Sequence, residues 1–175
     1  MPGKNHEAPV VVVMGVSASG KSTVGASLAE RLGVPFLEGD DLHSTASRAK
    51  MASGRPLDDA DREPWLAALA AWVRQAAARG RGGVVTCSAL RRAYRDELRA
   101  TGADVRFVHL ALDPRVAARR IAARTGHFMP PRLLGSQYDT LEPLQPDEPG
   151  VTVDASGSPE QVVSAVLRAL GEPDA

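Results

Sequence analysis

Five apolar residues, Val10 to Met14, run straight into Gly15-Val16-Ser17-Ala18-Ser19-Gly20-Lys21-Ser22-Thr23, and no other stretch constrains the fold so tightly. A continuous apolar, mostly β-branched run reads as a strand buried on both faces of a parallel sheet. Gly15-x4-Gly20-Lys21-Ser22 has the spacing of a phosphate-binding loop (P-loop), which requires a strand before it and a helix after it. Its glycines let the loop curl until successive N–H groups point inward at phosphates, and the helix N-terminus adds a partial positive charge. In this reading Lys21 reaches the β- and γ-phosphates and the Ser22 hydroxyl binds Mg²⁺. A guanine-reading Asn-Lys-x-Asp is impossible because Asn5 is the sole asparagine, which leaves ATP as the expected donor.

Strand and helix signals alternate along the rest of the chain. The pattern predicts a helix from Lys21 to about Leu32, stopped by Gly33, and a short second strand in Val34–Leu37 ending in acids. Residues 42–57 have no clear period and read as a loop with one short helix. Pro64 is expected to open a stronger helix whose Leu66, Leu69, Trp72 and Val73 form one stripe. "GGVVTCSAL" predicts the third strand, "RRAYRDELRATG" a helix and "VRFVHLAL" the fourth strand. Asp113-Pro114 supplies an N-cap and a first-turn proline for the next helix. Residues 125–150, rich in Gly and Pro, read as a mobile loop or lid. "VTVDA" is the fifth strand, and Ser158-Pro159-Glu160-Gln161 has capping-box spacing for a final helix. The expected fold class is α/β, a five-stranded open parallel sheet flanked by helices.

At 175 residues the chain is expected to form one domain, about 9–171, with flexible tails at 1–8 and 172–175. Lys plus Arg and Asp plus Glu both number 21, so no overall field recruits nucleic acid or an anionic membrane. Cys87 is the only cysteine, which excludes a disulfide framework and a thiolate metal cluster. The apolar run is too short for a signal sequence or a membrane span, so a cytoplasmic protein is expected.

The acceptor of the phosphoryl group has to be sought further along. In an open parallel sheet, ligands sit at the carboxyl ends of the strands, which places Glu38 and Asp40 beside the P-loop. One carboxylate there is suited to take a proton from a substrate hydroxyl, and another to hold Mg²⁺ through water. His43, Lys50 and Arg55 follow and make a cationic, donor-rich patch for a small anionic or polyhydroxylated acceptor. Trp65 and Trp72 read as core. No acid ends the third strand at Cys87-Ser88, so Mg²⁺ rests on Ser22, phosphates and waters, with Glu38 assisting. Arg91 and Arg95 lie one turn apart on the helix after that strand, and Arg120 and Arg124 lie one turn apart at the entry to the lid. His109 sits in a strand and reads as a core histidine.

Glu38 to Leu66 resembles the gluconokinases of the P-loop kinase superfamily, relatives of shikimate and adenylate kinases. The resemblance rests on Gly39-Asp40-x-x-His43, on Lys50-Met51, and on Gly54-x-Pro56-Leu57-x-Asp59-x-Asp61-Arg62-x-Pro64-Trp65-Leu66. "CSALRRAYRDELR" and "RIAARTGHFMPPRLLGSQYDTLEPL" extend it to about residue 148. It implies a nucleoside/shikimate kinase-like fold with a lid at about 119–140 and an acceptor-binding segment at about 38–66. It implies ATP- and Mg²⁺-dependent phosphorylation of D-gluconate at the C6 hydroxyl, giving 6-phospho-D-gluconate and ADP. Catalysis then falls to Lys21, Asp40 and Arg124, and ATP binding to Gly15 through Thr23 with Arg120. Substrate binding falls to Asp40, His43, Lys50, Arg55, Arg92 and His127. A homodimer is the expected assembly. "VDASGSPEQVV" resembles the adenine-side loop of the superfamily. Ser44, Ser47 and Ala18 stand where proline, asparagine and glycine are usual, and lysine is common at Arg91. The rival readings are another small-molecule kinase of the same fold, for shikimate or a nucleotide, and a non-catalytic nucleotide-binding module.

Overall fold

The computed structural model describes residues 8–124 and 131–172. Five parallel strands form one sheet: β1 (Val10–Met14), β2 (Phe36–Glu38), β3 (Gly83–Thr86), β4 (Val105–Ala111) and β5 (Gly150–Asp154). Their order is β2-β3-β1-β4-β5, with Val12 of β1 level with Val85 and Phe107 on its two neighbours. The central strand explains the unbroken apolar run that opens the motif. Because side chains alternate across a strand, Val11 and Val13 enter one core while Val10, Val12 and Met14 enter the other.

One face is covered by α1 (Lys21–Leu32), which lies over β1 and β3, and α7 (Pro159–Ala169), which lies over β5, and they bring Leu28, Val163 and Val166 into one core. The opposite face is covered by α3 (Asp59–Ala78) and α4 (Arg92–Arg99), which bring Trp65, Leu69 and Leu98 against β1 and β3. α2 (Thr45–Ala52), α5 (Pro114–Ala123) and α6 (Pro131–Thr140) surround the carboxyl ends of the strands. β3 lies between β1 and β2 while β4 lies beyond β1, so the strand order reverses at β1 and opens a crevice there.

Two expectations are corrected. Pro64 does not open α3: it stands inside the helix, which starts five residues earlier at Asp59. There the Asp58 side chain accepts from the Asp61 amide and Asp61 returns a bond to the Asp58 amide, a reciprocal cap that outweighs the proline's preference for a first turn. The segment expected to be loop or lid contains the ten-residue α6. Residues 42–57 hold one short helix, as expected: a 3-10 turn over Gly39–Leu42 leads into the eight-residue α2, and the chain then leaves the helix at Ser53. The Ser44 hydroxyl caps α2 by accepting from the Ser47 amide at 3.1 Å. Both departures from the gluconokinase pattern in this segment thus meet in one N-cap.

Gly39 ties the edge strand to the crevice. A Cβ there would lie 1.8 Å from the Thr86 carbonyl oxygen, so only glycine lets the chain turn this close to β3. Its N–H donates to the Thr86 hydroxyl at 3.0 Å, which in turn donates to Glu38. The turn that carries Asp40 is thereby fixed to the end of the neighbouring strand.

Candidate active site

The P-loop closes tightly over the end of β1. Lys21 folds back, and its Nζ donates to the carbonyls of Gly15 and Val16, both at 3.0 Å. Burial pushes its pKa below the usual lysine value, against the opposing pull of Asp40. No side chain caps the start of α1, and added bulk at Gly20 would meet nothing nearer than 3.9 Å. The Ser19 hydroxyl is buried without a partner. Uncapped amides, an unpartnered hydroxyl and a folded-back ammonium are the donor set a nucleotide's phosphates require. Thr23, Arg120 and Arg124 line an adjoining cavity of about 240 Å³ with Ala155 and Gly157 of the expected adenine-side loop. Arg120 bridges its two walls, donating to Ala18 O at 3.1 Å and to Ala155 O at 2.7 Å.

On the other side of the P-loop lies a second cleft of about 120 Å³, with Lys21, Asp40, His43, Arg62, Trp65 and Gln137 among its walls. The Trp65 indole N–H donates to Gly39 O at 2.8 Å and pins the turn that presents Asp40. His43 stacks on Trp65 with ring centroids 4.4 Å apart, and its Nε2 lies 3.7 Å from Asp40 Oδ1. Burial lowers the pKa of His43, outweighing Asp40, so the ring is neutral in this site at neutral pH. Its Nδ1 is buried without a partner. Arg62 is held by the Tyr94 hydroxyl at 3.0 Å and by the ring of Tyr94 beneath it. A carboxylate facing a P-loop lysine, beside an arginine and a neutral histidine, suits an anionic acceptor that presents a hydroxyl to a phosphoryl donor.

A family model described as an AAA domain matches residues 10–144. Gluconokinase of Gluconobacter oxydans (strain 621H) is 48% identical over 158 residues, covering 90% of this chain and 89% of that protein. The crystal structure of a gluconokinase from Sinorhizobium meliloti 1021 superposes with a TM-score of 0.83 at 44% identity, covering 94% of this chain and 93% of the other. A sugar kinase from Janibacter sp. HTCC2649 superposes with a TM-score of 0.87 at 45% identity, covering 94% and 95%. The chain belongs to the gluconokinase family.

Not every residue of the gluconokinase pattern faces the cleft. Lys50 turns to α3, with its Nζ 2.6 Å from Asp61 and 3.7 Å from Asp58, and clasps α2 to the cap of α3. Arg55 is exposed and donates to the Ser53 hydroxyl at 3.2 Å. Arg92 forms a forked pair with Asp147 and donates to Gln145 at 2.7 Å, binding the stretch that follows α6. Arg95 is fully buried and forks onto Glu148 at 2.6 and 3.0 Å. None of these four borders the acceptor cleft. Arg124 lies at the end of α5, and His127 lies outside the described residues. His109 is a buried strand residue, and Cys87 is buried with its thiol pushed up to about 12 by desolvation.

Arg62 and Gln137 belong to the cleft but escape a reading of the sequence for candidate site residues. Arg62 sits inside the quoted family pattern, next to the acids of the α3 cap, where a cation reads as a helix charge. Gln137 bears no charge, and its contact with the P-loop spans 120 positions.

Proposed function

We propose that the chain transfers the γ-phosphoryl group of ATP to the C6 hydroxyl of D-gluconate, giving 6-phospho-D-gluconate and ADP. The observation that carries this reading is the convergence of Lys21, Asp40 and Arg62 on one cleft beside the P-loop. Asp40 orients the acceptor hydroxyl and takes its proton as the oxygen forms a bond to the γ-phosphorus. The bond from that phosphorus to the β-bridging oxygen breaks, and ADP leaves with the electron pair. Lys21 exchanges its loop carbonyls for phosphate oxygens, and Arg124 closes on the transferring charge from the end of α5. His43 and Arg62 hold the acceptor, with Arg62 facing its carboxylate.

The residues present fit a divalent ion held chiefly by the nucleotide. Among the described residues no cluster of three His, Cys, Asp or Glu side chains is placed to bind a metal. Ser22 would hold Mg²⁺ directly and Glu38 through water, and the ion would neutralise phosphate charge. A homodimer and a cytoplasmic location complete the reading. Among the described residues no helix is long and apolar enough to cross a membrane.

The test is ADP release with Mg²⁺ and ATP, comparing D-gluconate, shikimate, AMP and no acceptor, with Asp40→Ala alongside. Gluconate-dependent turnover that falls by roughly 10²–10⁴ in the variant supports the reading. Turnover with shikimate or AMP alone, or none with any acceptor, refutes it.

A further inference from the structure

Gln137 reaches from α6 across the cleft to the P-loop, where its Oε1 accepts a hydrogen bond from the Ser17 amide at 2.7 Å. That partner settles which way the carboxamide faces, because a backbone N–H can only donate and so must meet the oxygen. The amino end, Nε2, is left as the free end, on a side chain that borders the same cleft as Lys21, Asp40 and Arg62. Donation into Oε1 also polarises the carboxamide and makes the amino group a better donor.

The side chain is held from several directions. The Tyr138 hydroxyl donates to Leu112 O at 2.7 Å and Leu134 is buried in the core, so α6 is fixed to the sheet. Immediately after α6, the Glu142 amide donates to Leu90 O, and Arg92 and Arg95 grip Asp147 and Glu148. A donor fixed in this way loses little conformational freedom when a ligand arrives.

We propose that Gln137 is an acceptor-binding, specificity-determining residue: the P-loop holds its carbonyl end, and its amino end donates to a carboxylate or hydroxyl oxygen of the sugar acid. The assignment rests on the proposed function for the identity of that acid. It also links the two halves of the site, since the side chain that reads the acceptor is oriented by the loop that holds the nucleotide.

The variants Gln137→Glu and Gln137→Met separate the two ends. Glutamate keeps an oxygen on the Ser17 N–H and strengthens that bond, while its other end becomes an acceptor carrying negative charge toward an anionic substrate. The expected result for Gln137→Glu is a KM for D-gluconate raised about ten- to one-hundredfold. The thermal midpoint should stay near the wild type, and KM for ATP should rise less than KM for D-gluconate. Methionine fills similar space with neither polar end, so it raises the gluconate KM too. It also releases the Ser17 amide, whose proton resonance moves upfield. An unchanged gluconate KM in Gln137→Glu overturns the proposal, as does a KM for ATP that rises as much as or more than the gluconate KM. An unmoved Ser17 resonance in Gln137→Met also overturns it. Wild-type turnover is read first and bears on the proposed function alone. If the wild type prefers another sugar acid, such as D-galactonate, the same KM ratios on that acid decide the role of Gln137.

Discussion

Arg95 and Glu148 lie 53 positions apart in the chain, yet Nε and Oε1 are 2.6 Å apart and neither side chain is exposed. Arg95 also donates to the Ala89 carbonyl, and Glu148 accepts from the Gln145 amide, so both charges are satisfied beyond their own pair. Burial raises the pKa of Glu148, but the bonds from Arg95 and Gln145 prevail and hold it below the usual glutamate range. The pair fastens the stretch after α6 to α4 and, through the Ala89 carbonyl, to the loop after β3, and with it the wall that carries Gln137.

Breaking such a pair on one side leaves a buried charge with nothing to balance it. Glu148→Gln is expected to destabilise the fold by about 3–5 kcal/mol, and the double variant Arg95→Leu/Glu148→Leu by less than the sum of its singles. Denaturant unfolding measures both. A loss under about 1 kcal/mol in Glu148→Gln would show that the pair behaves as an exposed one.

Ala18 has φ 67°, in the left-handed region, in the middle of the P-loop. A Cβ in that conformation costs about 1–2 kcal/mol, of which glycine's greater freedom in the unfolded chain returns a part. Ala18→Gly is therefore expected to stabilise the protein by about 0.5–1 kcal/mol and raise the midpoint by roughly 1–4 °C. The Ala18 carbonyl, which accepts from Arg120, is kept in the variant. Calorimetry showing a lower midpoint would mean that the buried methyl group contributes more than the strain takes away.

The elements with a clear period or cap were legible in the chain: β1 from its apolar run, α1 from its P-loop start and Gly33, α7 from Ser158 and Gln161. α6 was not, because Pro130, Pro131 and Gly135 make its composition look like a loop. Its signal was the spacing of Leu134, Tyr138 and Leu141, all of which pack on one core. The start of α3 was hidden because two aspartates make its capping box in place of the usual Ser/Thr and Glu/Gln. Local motifs marked Lys21, Asp40 and His43, which do meet in one cleft. Partnerships across the fold decided the rest. Lys50 looked free until α2 laid it on Asp61, and Arg92 looked free until the stretch after α6 met it.

His43 makes stability depend on pH in a definite direction. Its side chain is 5% exposed, and burial holds its folded pKa below the unfolded value of 6.5. The unfolded chain then binds the proton first. The stability from keeping the ring neutral is complete above 6.5 and declines as pH falls through the folded value. His43→Phe keeps a ring against Trp65 but cannot titrate. Wild-type unfolding free energy should therefore fall more steeply than the variant's as pH drops below about 6.5. His109 titrates in the same direction in both proteins and cancels in the comparison. Parallel pH profiles would mean that His43 is protonated as easily in the fold as out of it.

Arg62 and Lys50, two basic residues of the family pattern, stand differently toward the cleft. Arg62 borders the cleft with its guanidinium 5.4 Å from the centroid of the Tyr94 ring, while Lys50 is 2.6 Å from Asp61 and faces away. A carboxylate gains two parallel bonds from a guanidinium fork, which a lysine cannot supply. Arg62→Lys is accordingly expected to raise the KM for D-gluconate about tenfold or more with KM for ATP little changed. Lys50→Met should leave the gluconate KM within about twofold of the wild type, its effect falling on the junction of α2 and α3. Steady-state kinetics on both variants decide the matter. Should Lys50→Met raise the gluconate KM as much as Arg62→Lys, α2 must swing inward when the acceptor binds, and Lys50 must leave Asp61 to meet it.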